Sequence, residues 1–134
     1  MTPKATILRK LLECYEAIAE YQTELLREID YIEYQRVNVR GISYDPDKVP
    51  TASPSVHSTA LLFDRQIEEC RQELTFTNSL IRWIADQLQT LTEPDRQTLM
   101  ERYTAKKTID QMAAELNITP EQMKYRIYGI LSEI

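Results

Sequence analysis

The residue types that make or break covalent bonds are scattered along this chain of 134 residues. Its one histidine, His57, stands among serines and prolines, and its two cysteines, Cys14 and Cys70, are distant from each other and from it. A metal site needs clustered ligands, and a nucleophile needs a base within reach, so neither chemistry has its parts here. The carboxylates are many, but they share helical faces with Lys and Arg. Tyr15, Tyr21, Tyr31 and Tyr34 fall where one helix would use them for packing. There is no phosphate loop and no nucleophile motif. The chain therefore reads as a non-enzyme without cofactor or metal.

The chemistry that remains is hydrogen bonding and charge, and it concentrates between Ile109 and Tyr128. Two short helices meeting at a sharp angle need particular residues at particular places. Ala113 is small where a second helix would cross closest. Asn117 falls at the turn, where the backbone goes left-handed and Asn is tolerated. Met112, Leu116, Ile118 and Met123 are expected to share a core. Thr119 suits the cap of the second helix and Pro120 its first turn. In residue type and spacing this is a helix-turn-helix, the motif that lays its second helix in the major groove of DNA. Three residues after Met123 an apolar side chain is expected, but Arg126 stands there and Ile127 beside it.

The rest of the chain must position this element. Two glycines in the whole sequence leave few corners for hairpins, while Leu, Ile, Glu, Gln, Arg and Ala favour helix, so the class is all-α. Leu8, Leu11, Tyr15, Ile18, Leu25, Ile29 and Ile32 alternate steps of three and four, with Gln22 the polar interruption. They predict a helix over about 3–36. Ala60, Phe63, Ile67, Cys70, Leu74, Thr77, Ile81, Ile84, Leu88 and Leu91 repeat the pattern over about 57–92. Gly41, Pro46, Pro50 and Pro54 predict a loop over about 36–58. The expected architecture is a long antiparallel helical hairpin, a coiled coil, over 1–92. A three-helix helix-turn-helix domain follows over 93–134, with helices near 94–104, 108–116 and 120–133 and Thr92, Thr108 and Thr119 as caps. A register that sets Ile32 beside Ala60 puts Gln22 near Cys70 and keeps Cys14 and Cys70 apart, as free, half-buried thiols. Phe76, Leu80 and Trp83 form a second apolar stripe that a two-helix hairpin cannot bury; it covers the C-terminal domain or binds a partner.

The net charge is −5, yet residues 94–134 hold six bases and six acids. A neutral domain argues against tight binding to DNA by charge alone. A second copy or another DNA-bound protein would then have to help. The N-terminus has no apolar signal core, and no run approaches a membrane span, so the expected location is the cytoplasm, with no membrane partner.

The stretch from Leu91-Thr92-Glu93-Pro94 to Leu131 resembles sigma-factor region four, including Arg102-Tyr103, Thr108-Ile109-Asp110-Gln111-Met112-Ala113 and Glu115-Leu116. Nearly the full length resembles small phage transcriptional regulators of the RinA/ArpU type. The segments Gly41-Ile42-Ser43-Tyr44-Asp45, Lys48-Val49-Pro50-Thr51 and Ser53-Pro54-Ser55 are similar to their linker. The resemblance implies a phage or prophage regulator in a bacterial host, an activator of phage genes, with double-stranded DNA and RNA polymerase as partners. Carried onto this sequence, the docked motif turns Thr119, Pro120, Glu121, Gln122, Lys124, Tyr125 and Tyr128 to base edges. Gln122 suits adenine, Glu121 cytosine, and Lys124 guanine or phosphate. Lys106, Lys107 and Thr108 suit phosphate. The competing readings are a coiled-coil adaptor or assembly protein and a packaging protein like the terminase small subunit.

Overall fold

Thr2 starts the first helix. Its hydroxyl accepts from the Ala5 N–H at 3.1 Å, Pro3 occupies the first turn, and α1 runs Pro3–Glu13 in the computed structural model, which describes residues 2–42 and 54–134. The helix does not continue unbroken to residue 36. At Cys14 (φ −99°, ψ 5°) the N–H is shared between the carbonyls of Lys10 and Leu11, 3.2 Å from each. The Leu12 carbonyl, which an unbroken helix would offer to residue 16, accepts the Thr104 hydroxyl at 3.1 Å. A side chain inserted into the ladder is a recognised cause of a helix break, and no Pro or Gly marks it in the sequence.

From Tyr15 the chain resumes as α2, Tyr15–Ile42, and after the undescribed stretch α3 runs Pro54–Gln89. Both helices extend into the expected 36–58 loop, so His57 lies in α3 rather than in a loop. Pro54 stands where a helix tolerates proline, in the first turn. Pro46, Pro50 and most of the segment that carries the linker resemblance fall in 43–53, outside the described residues. Then come α4, Glu93–Leu99, continued by a π-helical turn Met100–Thr104; α5, Ile109–Glu115; and α6, Pro120–Ser132. The chain is all-α, with no strand among the described residues. No helix among them is long and apolar enough to cross a membrane.

The chain folds as two compact units, and they divide it differently from 1–92 and 93–134. One is Glu20–Asn78; the other joins Met1–Ala19 to Ser79–Ile134. In the first, α2 and α3 run antiparallel around Leu25, Ile29, Ile32 and Ile67, with Phe63, Cys70 and Leu74 partly buried beside them. Gln22 donates to Asn78, Arg36 pairs with Asp64, Arg71 with Glu33 at 3.7 Å, and the Tyr21 hydroxyl donates to Glu73 at 3.4 Å. Gln22 thus meets Asn78, eight residues beyond the Cys70 expected opposite it. A seam that repeats every seven residues reads nearly the same after such a slide. The polar pairs and the true helix ends choose the register.

In the second unit, Ala5, Leu8 and Leu12 of α1 form one buried stripe. They join Ile84, Leu91, Leu99, Met112, Ala113, Met123, Ile127, Ile130 and Leu131 in a single core, with Leu11, Tyr15, Trp83 and Leu88 packed against it. Residues 1–19 therefore belong to the same core as the C-terminal helices. The Thr2 hydroxyl also donates to the Ile134 carbonyl at 3.4 Å.

Both thiols are free, and Cys14 is exposed rather than half-buried. Burial pushes the Cys70 thiol up in pKa, and the charges of Glu28, Glu69 and Glu73 add to the shift. An alkylating reagent near pH 8 should therefore label Cys14 well before Cys70 in the native protein, because the thiolate is the reactive form. Mass spectrometry of timed digests reads the order; equal rates would show that Cys70 lacks this shielding.

Candidate nucleic-acid interface

The hydroxyls of Thr108 and Thr119 each close a capping box. Thr108 accepts from the Gln111 N–H at 3.1 Å, and the Gln111 side chain accepts from the Thr108 N–H at 3.1 Å. Thr119 and Gln122 repeat the exchange at 3.2 and 3.0 Å. Thus each helix fixes its own start within a few residues of sequence. By contrast, Thr92 has the backbone of a cap but its hydroxyl makes no capping bond.

Between α5 and α6 the chain turns at Asn117, whose φ of 56° is left-handed, as expected of Asn at this place. The Ile118 N–H donates back to the Ala113 carbonyl at 3.0 Å. Ala113 itself is 1% exposed, between the two helices, with Met112 and Met123 equally buried. Ala113→Leu should overpack this corner and destabilise the protein by about 1–3 kcal/mol, read as a lower melting temperature. An unchanged melt would mean that the helices do not need their close approach.

One expectation about the shared core fails, and one question that the sequence left open is answered. Leu116 is half exposed, because it caps α5 with a non-helical backbone (φ −98°, ψ 1°) and its side chain leaves the core. It lines a shallow groove with Glu101, Glu115 and Arg126. Arg126 is exposed and Ile127 is buried in its place, so α6 packs through Met123, Ile127, Ile130 and Leu131.

The expected DNA-facing residues separate into three groups. Pro120, Glu121, Lys124, Tyr125 and Tyr128 are exposed on α6, Tyr125 at 82%. Thr108, Thr119 and Gln122 are exposed, but their capping bonds occupy the two hydroxyls and the Gln122 carbonyl oxygen; the Gln122 amide NH₂ takes no part in the box. Lys107 is half-buried and paired with Glu115 at 3.2 Å and Glu101 at 3.8 Å, while Lys106 is exposed with a left-handed φ of 57°. The stripe of Phe76, Leu80 and Trp83 does not act as one surface. Trp83 packs on the core of the C-terminal helices, Leu80 is partly buried, and Phe76 is 62% exposed in the Glu20–Asn78 unit.

Lys124 and Tyr128 line a groove of about 180 Å³ with Arg102, Tyr103 and Ile109. The Arg102 guanidinium lies 5.8 Å from the Tyr103 ring centre and donates to the Lys107 carbonyl at 3.0 Å, which holds it against the turn. Arg102 and Tyr103 carry charge and an aromatic face to this surface and are not among the expected DNA-facing residues. Their signal was present only as part of the region-four resemblance. Burial pushes the Tyr103 phenol up in pKa, Arg9 and Arg102 oppose the shift, and Glu13 adds to it. Among the described residues no group of three or more His, Cys, Asp or Glu is placed to hold a metal ion. No family model, curated protein or solved structure matches the chain.

Proposed function

We propose that α5, its turn and α6 form a helix-turn-helix that reads double-stranded DNA, and that the protein is a transcriptional regulator. The observation that carries this reading is the corner itself. Two capped helices close on a buried Ala113 through a left-handed Asn117, and α6 turns Lys124, Tyr125 and Tyr128 outward. On that outer face Lys124 stands between exposed aromatic and polar residues that can meet base edges or phosphate in a docked helix-turn-helix.

The resemblance to RinA/ArpU-type regulators extends the proposal to a phage or prophage activator working in the cytoplasm of a bacterial host. The antiparallel pair of α2 and α3 is then a hairpin arm. Residues 20–78 hold eleven acids and six bases, so the whole net charge of −5 lies on them. That field repels DNA, so RNA polymerase or a second copy as co-binder would have to supply the affinity that charge does not. The same acidity, together with exposed Leu26, Leu61, Leu62 and Phe76, favours the second reading, a helical adaptor that binds protein alone.

Fluorescence anisotropy with duplex fragments from the source genome tests the proposal, with the oligomeric state fixed by light scattering. A single copy should show a slope of log affinity against log salt of about −2 to −4, since each neutralised phosphate contributes about −0.9. Absence of any salt-sensitive binding to duplex DNA would leave the adaptor reading.

A further inference from the structure

The unit that holds α5 and α6 carries ten acids and ten bases, so its net charge is zero. The charges are nevertheless sorted by side. On one flank of α6, Arg126 shares a groove with Glu101 and Glu115, and Lys107 is tied to both of those carboxylates. On the other flank Arg102 and Lys106 line a cavity of about 340 Å³ with Tyr103, and Glu13 is its one acid. Arg9 lies one helical turn before Glu13 on α1, near enough to Tyr103 for its charge to act on the phenol. The Arg9 Nε is buried and has no hydrogen-bond partner among the described residues. That nitrogen is closed to solvent, as are those of Arg36 and Arg96, so Arg9 would act on an anion at this surface through its charge.

Given the DNA-binding role proposed above for α6, we infer that Arg102 and Lys106, beside Tyr103, cradle a phosphate of the DNA backbone, with α1 bordering the site through Glu13 and adding the positive charge of Arg9. The cradle adjoins the groove of Lys124 and Tyr128 through Arg102 and Tyr103, which line both. One duplex strand could therefore run from α6 to α1. Phosphate contacts of this kind fix register without reading sequence. Glu13 opposes the ligand, three cations against one carboxylate, and limits how tightly any duplex is held.

The test uses the full chain and a short labelled duplex of random sequence, titrated with salt. Lys106→Gln and Arg9→Gln should each weaken binding several-fold and bring the salt slope nearer zero by about 0.9. Arg9→Lys, which keeps the charge, should retain the slope. Glu13→Gln should tighten binding several-fold, a gain that a merely structural role for this surface would not produce. Lys4→Gln, exposed on the same helix, serves as the control with wild-type behaviour. Thermal melts identify any variant that loses its fold, and Lys106, being exposed, keeps the test alive if Arg9→Gln does not fold. If the wild type ignores duplex DNA, the reading of α6 falls. If it binds, and Lys124→Glu weakens it while Lys106→Gln and Glu13→Gln leave the slope and affinity unchanged, the phosphate cradle alone is overturned.

Discussion

Leu12→Ala should destabilise the protein by about 2–5 kcal/mol, the cost of emptying a fully buried leucine site. Leu12 is 0% exposed and packs with Leu8, Leu99 and Met123 in one core. For a unit of this size each kcal/mol moves the melting temperature by about 4–8 °C, so the midpoint should fall by roughly 10 °C or more. The heptad seam passes through Leu8, Leu11 and Tyr15 and leaves Leu12 on its flank. A coiled coil over 1–92 would therefore lose little from this truncation. Leu26→Ala, at a 56% exposed position, provides the comparison and should change stability by no more than about 0.5 kcal/mol. If the two variants melt alike, α1 is not part of the C-terminal core.

Lys124→Glu should cut affinity for duplex DNA by roughly 10- to 100-fold, since a charge-assisted contact is worth about 1.5–3 kcal/mol and the new carboxylate repels phosphate as well. The fold should survive, because Lys124 is exposed and α6 packs through Met123, Ile127, Ile130 and Leu131. Lys107→Glu offers a contrast. Its ammonium is held by Glu101 and Glu115, so reversal should cost stability by setting three carboxylates together and have a smaller effect on the salt slope. Parallel anisotropy titrations and melts separate the two. Wild-type binding by Lys124→Glu would move the recognition face elsewhere.

Local chemistry was legible in the sequence wherever a few neighbouring residues decide the outcome. Thr108, Thr119 and Asn117 took the cap and turn roles expected of them, since those roles depend on backbone groups two or three positions away. The all-α class followed from composition. What escaped was long-range. The break at Cys14 depends on Thr104, which bonds to Leu12 from 92 positions along the chain. The register of α2 on α3 depends on polar pairs that a repeating seam does not encode. The site suffered likewise: Lys107 looked available for phosphate until Glu101 and Glu115 were placed beside it, and Arg9 looked like a hairpin residue until α1 joined the other core.

The C-terminal core is built from both sides of a long excursion, and this sets an order on the ribosome. Ala5, Leu8 and Leu12 emerge first, but their partners Leu99, Met112, Met123 and Leu131 are about a hundred residues behind. At translation rates of about 5–20 residues per second, α1 waits roughly 5–20 s with its apolar stripe uncovered. The α2–α3 pair closes over a shorter separation and can zip before the wait ends. A nascent chain halted before α6 therefore leaves the apolar stripe of α1 uncovered, and completion of α6 is the event that protects it.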